Sequence, residues 1–505
     1  MKQPSILVID IGTTLIKVSL FDFRCRLVDK VCGRQNEFSH ETPFDAEACW
    51  REVATCSRQL AARNPACRIV VVGVTGFMHS VVALDRMGRP LPILVPAATV
   101  RECFEHMLTE IHFERIYEVT GSRLDTTSVP PWLMAFRRRS PNTFSEITAI
   151  LPVKDFIRHR LTSEMATDEI DACGTMLYSV HHRRWDADLI SYCGLREGML
   201  PPILHCTSRG GTVTPAVAEA LHIPAGIPVS VGGGDDIEII GCGALGDQAI
   251  CEHVGSTGSF LMHTQTASPD PKFRLELYPA VDAGKWVLGG SCSNVTRALD
   301  WFLKHSVYTR DGGVDWNRVQ GDLPVALGRL DSDRPLFLPY VHGERAPFWN
   351  PDLTAKWLWL RNCHTSADLL LSVIEGVCFS LRSIFDVYKE LGIQIDSICS
   401  SGGLNDIDAA RLRATVYGTT IRQLKCADPT SFAAAAIALC SIGELSDPQE
   451  AAAWLEFEPE IEPMPEWEAL LDQRFELFSE ATAEMLAKPR GLNRKQSGNR
   501  QDWDC

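Results

Sequence analysis

A two-lobed α/β protein is what this 505-residue sequence predicts. Three observations carry that expectation. Strand-like and helix-like segments alternate along the chain, which points to layered α/β structure and away from an all-helical or all-strand fold. A hairpin tip of glycine and hydroxyl residues occurs twice, at 12–14 and at 255–259, each beside an apolar strand. The length, at ~100–200 residues per domain, asks for two to four domains or two large ones.

The elements follow in order. Ile6–Ile9 is a short apolar strand stopped by Asp10, Gly12-Thr13-Thr14 is a turn, and Leu15–Phe21 is the returning strand. Cys49–Ala62 has helical spacing through Trp50, Val53, Ala54 and Leu60, and the β-branched run Ile69–Val74 reads as a buried central strand. Val81–Leu84 is a further strand after Gly76-Phe77-Met78-His79. Val229–Val231 runs into Gly232-Gly233-Gly234-Asp235-Asp236 and then a helix start, and Gly246-Asp247-Gln248 is a turn. The hairpin pattern then returns at Gly255–Ser259, so a domain boundary is set near residue 246, separating 1–246 from 247–487 as rough pseudo-repeats. Ser366–Leu391 is a long helix, with Thr365 and Asp368 as its capping box. Ile395–Cys399 is a strand, Ser400-Ser401-Gly402-Gly403 a turn, and 407–417 a helix. The small residues Ala433–Ala438 suit close helix packing, Glu456–Glu466 reads as an acidic Pro-rich linker, and Trp467–Leu486 is a last amphipathic helix. The polar segment 488–505 is expected to fray.

Composition narrows the function classes. Hydrophobic residues at 45% and charged residues at 22% exclude wholesale disorder, and the 36 Gly and 29 Pro show no collagen-like period. With 49 basic and 64 acidic side chains the formal net charge is -15, which argues against a general nucleic-acid or anionic-membrane binder. It leaves room for a small anion held by a local site or a metal ion. The 18 cysteines form no CxxC pair and sit mostly among apolar neighbours, so they read as free buried thiols in a reducing compartment. The apolar start is broken at Asp10, unlike a secretory leader, and no run approaches the ~18 apolar residues of a membrane span. A soluble, cytoplasmic protein is expected.

The hairpin tips carry the first chemistry. Turns of glycine and threonine point backbone N–H groups and hydroxyls at one place, where they can hold phosphate oxygens. Asp10 can hold Mg²⁺ through carboxylate oxygens, and Lys17 can add a cation. Either hairpin alone is equally a plain tight turn. Two in related halves suggest a clamp on a polyphosphate, with Gly12, Thr13 and Thr14 on one side and Gly255, Ser256, Thr257 and Gly258 on the other. Three glycines at the end of a strand clear the floor of a cleft, and Asp235 there can accept a proton from a substrate hydroxyl. Asp236 can cap the following helix while Asp235 does the chemistry. Met78 and His79 sit at a strand end where they can touch a small polar substrate, though a lone histidine is more often structural. Gly402-Gly403 lets a base or ribose approach the backbone, or is an ordinary β-to-α turn.

Together these stretches resemble the FGGY carbohydrate kinases, and most of all their xylulose-kinase branch. The matching strings are VIDIGTTLIKVSLFD (8–22), GVTGFMHSVVALD (73–85), PVKDFIRHRLTSEMATDEIDACGTML (152–177), GGGDDIEIIGCG (232–243), VGSTGSF (254–260), SNVTRALDWF (293–302), LPYVHGERAPFWNPD (338–352), IEGVCFSLRSIFDVYKELG (374–392) and SSGGLND (400–406). They keep the family's order over nearly the whole chain, and 152–177 is especially specific because it has no simple physical origin in the sequence.

The resemblance implies an actin-like, Hsp70-like fold of two ribonuclease H-like domains with ATP in the inter-domain cleft. It implies transfer of the γ-phosphoryl group of MgATP to a hydroxyl of a sugar or polyol. Asp235 matches the catalytic aspartate. Met78, His79, Asp236 and Arg101 fall to the substrate side, and Gly402, Gly403 and Asn405 to the ATP side. A small sugar or polyol is the expected partner, with neither nucleic acid nor membrane, and a homodimer is admitted as an assembly.

The sequence also departs from that pattern. Where many relatives carry Trp-x-Asp-x-Arg, this chain has Leu94–Arg101, in which only Arg101 corresponds. Phe77 stands where Gln is usual, and Ala433–Ala436 replaces a stretch that often contains Gly. Unpaired buried hydroxyls cost ~1–3 kcal/mol each, so D-xylulose held in the usual way is not expected. An ATP-binding pseudokinase of the same fold stays open as the alternative, with a chaperone-type ATPase behind it.

Overall fold

The computed structural model describes residues 2–35, 44–244, 248–328, 330–331, 333–404 and 406–487. Two sheets of one topology organise them. In the first lobe β1 (Gln3–Ile11), β2 (Leu15–Phe21), β3 (Leu27–Arg34), β4 (Cys67–Gly76), β5 (Arg209–Thr212) and β6 (Pro228–Ser230) lie in the order β3-β2-β1-β4-β6-β5, and the short β7 (Gly233–Gly234) also pairs with β4. In the second lobe β8 (Ala249–Val254), β9 (Gly258–Thr264), β10 (Glu276–Pro279), β11 (Trp286–Cys292), β12 (Ser397–Gly402) and β13 (Ile421–Gln423) lie in the order β10-β11-β9-β8-β12-β13.

The duplication is visible strand by strand. β1–β2–β3 is an antiparallel meander with β4 and β6 added in parallel, and β8–β9–β11 is the same meander with β12 and β13 added in parallel. β1 and β4 are covered on both faces, which explains their unbroken β-branched runs. Both lobes therefore present a hairpin tip at the same end of their sheets.

Helices cover the sheets where the sequence gives them one apolar side. In α1 (Ala46–Arg63), Asp45 accepts the backbone N–H of Ala48 at 2.8 Å, and Cys49, Trp50, Val53 and Leu60 are buried. Next come α2 (Ala97–Glu110), α3 (Val153–Thr162) and α4 (Glu169–Gly174), then α5 (Thr296–Lys304) and α6 (Ser366–Glu390). The capping box of Thr365 and Asp368 starts α6 where the sequence places it. α7 (Ile407–Tyr417), α8 (Pro429–Ser441) and α9 (Pro465–Ala487) complete the chain.

α8 joins the lobes. Ala433–Ala436 are fully buried, and the helix packs on β1 and β4 of the first lobe although it comes late in the chain. A Cβ on Gly73 would stand 2.7 Å from the carbonyl oxygen of Ala434, so the alanine–glycine match lets helix and strand backbones touch. Ile6, Val8 and Val71 of one sheet share an apolar cluster with Cys251, Leu261 and Cys399 of the other through this helix.

Several expectations change. Ser400 and Ser401 are strand residues, because β12 runs on to Gly402 alongside β8. The segment 456–466 is no free linker. Phe457 pairs with Leu424 and Ile461 with Ile421 along the edge of β13. Its alternation of apolar Phe457 and Ile461 with Glu456, Glu458, Glu460 and Glu462 is an edge-strand pattern, hidden by the prolines. The boundary near residue 246, Gly246 and Asp247 of the expected turn, Asn405 and 488–505 lie outside the described residues. Every described cysteine is a free thiol, and no helix among the described residues is long and apolar enough to cross a membrane.

Candidate active site

The two hairpin tips are linked through a charged group: Glu238 acts on Asp10 below the first tip and lies 2.7 Å from His253 below the second. Gly12, Thr13 and Thr14 are at the surface, and the first tip is closed by the Gly12 N–H donating to Leu15 O at 2.9 Å. Asp10, just below it, is buried and accepts from Lys17 Nζ at 3.0 Å. Lys17 is also 3.3 Å from Asp428 at the start of α8, and Lys30 is 3.6 Å from the same acid. Burial raises the Asp10 pKa, Lys17 opposes this, and Asp428 and Glu238 add to it. Lys17 is thus committed to two carboxylates, where the sequence assigns it to phosphate.

In the second tip Gly255 N–H donates to Thr257 O at 2.8 Å, and the carbonyls of Gly255 and Ser256 accept from Thr296, Val295 and Arg297 at the start of α5. Gly258 is buried, and a Cβ there would meet Val295 at 2.7 Å. Gly402 adjoins this tip with φ 97°, where any Cβ would stand 2.3 Å from Val254 O. Gly402 and Gly403 therefore flank the second tip, leaving bare backbone beside it.

Asp235 begins a 3₁₀ turn directly after β7. Gly232 makes that turn possible: its φ is 76°, and a side chain would overlap Val74 O at 1.9 Å. Asp235 is exposed, yet the cleft walls displace enough water to push its carboxyl up to about 6. Desolvation leads, His79 pulls the other way, and Asp10 and Glu238 raise it further. The Asp235 carboxyl is thus within electrostatic reach of Asp10, Glu238 and His79.

A buried ion cluster backs the turn and gives the string 152–177 its physical meaning. Lys154 Nζ lies 2.8 Å from Asp155, 2.9 Å from Asp168 and 3.3 Å from Asp171, and donates to Val231 O at 3.1 Å. Its ammonium already occupies the centre of this acid group. Arg158 adds a second cation 3.3 Å from Asp155. Two cations face three acids, and burial raises the Asp171 pKa strongly. The cluster touches the glycine turn from behind, with Asp171 Oδ1 3.4 Å from the Cβ position of Gly234.

On the acceptor side His79 has φ 63° and its Nδ1 lies 3.0 Å from Gly174 O. A carbonyl only accepts, so Nδ1 carries the proton and Nε2 is left for a ligand. The His79 ring stands edge-on to Tyr278 of β10, with 6.4 Å between centroids. Met78 is buried beneath Gly174 and Gly234, supporting the turn more than it faces the cleft. Asp236 has its pKa pushed well up by burial, then by Asp235, Glu276 and Glu238, against Arg345. Glu276 shares the Tyr278 face of β10, since Leu275 and Leu277 point into the other core. Its pKa is raised by burial and lowered by His79, Tyr278 and Arg345. Glu276, Tyr278 and Arg345 were not singled out from the sequence. Arg101 is exposed on α2, and the charges acting most on Asp235 and Asp236 come from other residues.

Residues 5–241 match the family model for the FGGY family of carbohydrate kinases, N-terminal domain, and residues 253–442 match the model for its C-terminal domain. The chain belongs to the FGGY family of carbohydrate kinases. The kinase is 26% identical to the xylulose kinase of Klebsiella pneumoniae over 403 residues, covering 78% of this chain and 81% of the relative. It is 24% identical to the gluconokinase of Bacillus subtilis over 451 residues, covering 86% of each chain. The crystal structure of ligand-bound xylulose kinase from Lactobacillus acidophilus superposes with TM-score 0.88 at 22% identity, covering 96% of this chain and 99% of that one. The kinase has the two-domain actin-like fold, and its activity is ATP-dependent phosphorylation of a hydroxyl of a small sugar or polyol. No observation favours a pseudokinase.

Proposed function

We propose that Asp235 is the general base of this kinase and that the acceptor is a neutral polyhydroxy compound, a ketose or polyol. One observation carries the reading: the exposed Asp235 carboxyl, at the end of the glycine turn, stands within electrostatic reach of His79, Asp10 and Glu238, with its pKa at about 6. A base poised there is ionised at neutral pH and still basic enough to take a hydroxyl proton. As the acceptor oxygen forms its bond to the γ-phosphorus, its proton passes to Asp235. The bond from that phosphorus to the β–γ bridging oxygen breaks, and the electron pair leaves with ADP. The hydroxyls of Thr13, Thr14, Ser256 and Thr257, with the tip N–H groups not already used to close the turns, hold the phosphates, and Gly402 and Gly403 leave room for the nucleoside.

The buried Asp10 carboxylate below the first tip fits a divalent cation, since hard cations take carboxylate oxygens. Asp10 would hold Mg²⁺, which when bound neutralises charge on the phosphates. The acceptor side holds Asp235, Asp236 and Glu276 with Asp125 nearby, against Arg345. Hydroxyls can donate to such groups, whereas the carboxylate of an aldonate adds one more like charge. A cytoplasmic setting accords with the free thiols. A homodimer is tested by sedimentation equilibrium.

The deciding experiment measures ADP release across ketoses, polyols and aldonates. A neutral acceptor is expected to give turnover, and Asp235→Asn is expected to lose it while still binding nucleotide. Silence across the panel with ATP bound would overturn the reading.

A further inference from the structure

His253 lies two residues before Gly255, as Asp10 lies two residues before Gly12. The registers agree: Asp10 stands beside Thr75 on the neighbouring parallel strand, and His253 beside Ser401. Its side chain is on the Cys251 side of β8, which faces the first lobe. The imidazole is fixed at one nitrogen. Nδ1 is 2.7 Å from Glu238 Oε1, and the Ser401 hydroxyl donates to that same oxygen at 2.8 Å. Glu238 is in turn on the helix that continues from the Asp235 turn.

The other nitrogen is at the phosphate tip. Nε2 lies 2.7 Å from the position a Gly255 Cβ would occupy, so the absent side chain of that glycine is what makes room for it. The side chain is 35% exposed. We infer that His253 is a further phosphate-binding residue of this kinase, holding the transferred phosphoryl group through an imidazolium Nε2–H while Glu238 fixes Nδ1.

The charged groups around it suit that role. Glu238 raises the His253 pKa, desolvation opposes this, Lys17 also lowers it and Asp235 raises it. The carboxylate of Glu238 is held low by His253, Ser401 and Lys17 against the desolvation that raises it, so it stays an acceptor. In this role the charge of a His253 imidazolium offsets the negative charge on the phosphoryl oxygens as the P–O bonds exchange. The pair also ties the base-bearing turn of one lobe to the phosphate tip of the other. The inference rests on the proposed siting of the nucleotide phosphates between the two tips.

Its test begins on the nucleotide-free enzyme. Imidazole NMR titration should show His253 protonated at pH 7, and Glu238→Gln should lower its pKa. A calorimetric comparison of ATP and ADP affinities follows. His253→Gln should reduce the preference for ATP by about tenfold and kcat by about 10²-fold, the loss typical of one preorganised donor. The acceptor KM should stay unchanged, and His253→Lys should restore part of kcat. A neutral imidazole at pH 7, or an unchanged ATP-to-ADP affinity ratio in His253→Gln, would overturn the inference. If no acceptor is ever turned over, the kinase reading fails, yet the titration and the affinity ratio still decide the role of His253.

Discussion

The two hairpins share one topology and differ in charge. Below the first tip stands Asp10, an acid paired with Lys17; below the second, at the equivalent register, stands His253, a base paired with Glu238. Duplicated sheets thus carry two similar loops, and on the proposed reading a single substituted position splits their duties. One tip suits a metal ion and the other suits phosphate oxygen. On the proposed mechanism the proton leaves at Asp235, which is within electrostatic reach of Asp10 and Glu238.

That contrast can be broken at its centre first. Asp235→Asn should cut kcat by about 10²–10⁴-fold, the usual contribution of a positioned base, with nucleotide binding retained by calorimetry. Because the folded pKa is raised, the ionised side chain opposes folding as pH rises through about 6. The same variant should therefore melt at a higher temperature than the wild type at pH 8 and show little gain at pH 4. In the wild type, kcat should fall as pH drops below about 6.

Asp10→Asn probes the anionic tip alone. The Mg²⁺ concentration for half-maximal activity should rise at least about tenfold, the lower end of what disturbing a metal's surroundings costs. His253→Gln should leave that concentration unmoved; equal shifts in both variants would erase the division of labour. Lys154→Met removes the cation from three buried acids and should cost about 3–5 kcal/mol in urea unfolding, since breaking a buried pair strands its partners. The smallest expected effect is at the acceptor wall. Glu276→Gln should raise the KM of a neutral acceptor severalfold, about 1 kcal/mol for one hydrogen bond, and narrow the preference over aldonates.

The legible parts of the molecule were those with local causes. The long helix α6 announces its start through Thr365 and Asp368. The glycine turn before Asp235 is readable because three consecutive glycines have few other uses. What stayed hidden depends on contacts across the chain. Glu238 meets His253 and Ser401 from other strands, and Glu276 reaches the cleft only through the docking of β10. Lys154 could have been flagged: a lysine and an aspartate inside the apolar run Val153–Ile157 predict a buried ion pair. Met78 shows what a motif leaves out: its string fits a ligand contact, and the packing of its thioether under Gly234 is visible only in the fold.

The late helix α8 has a consequence for biosynthesis. Its alanines complete the packing of β1 and β4, strands made at the very start of translation. At ~5–20 residues per second, the ribosome needs roughly 10–40 s to traverse the roughly 200 residues between the end of the first lobe's own segment and this helix. Throughout that interval the nascent first lobe carries a bare apolar groove, a surface on which a chaperone has reason to wait.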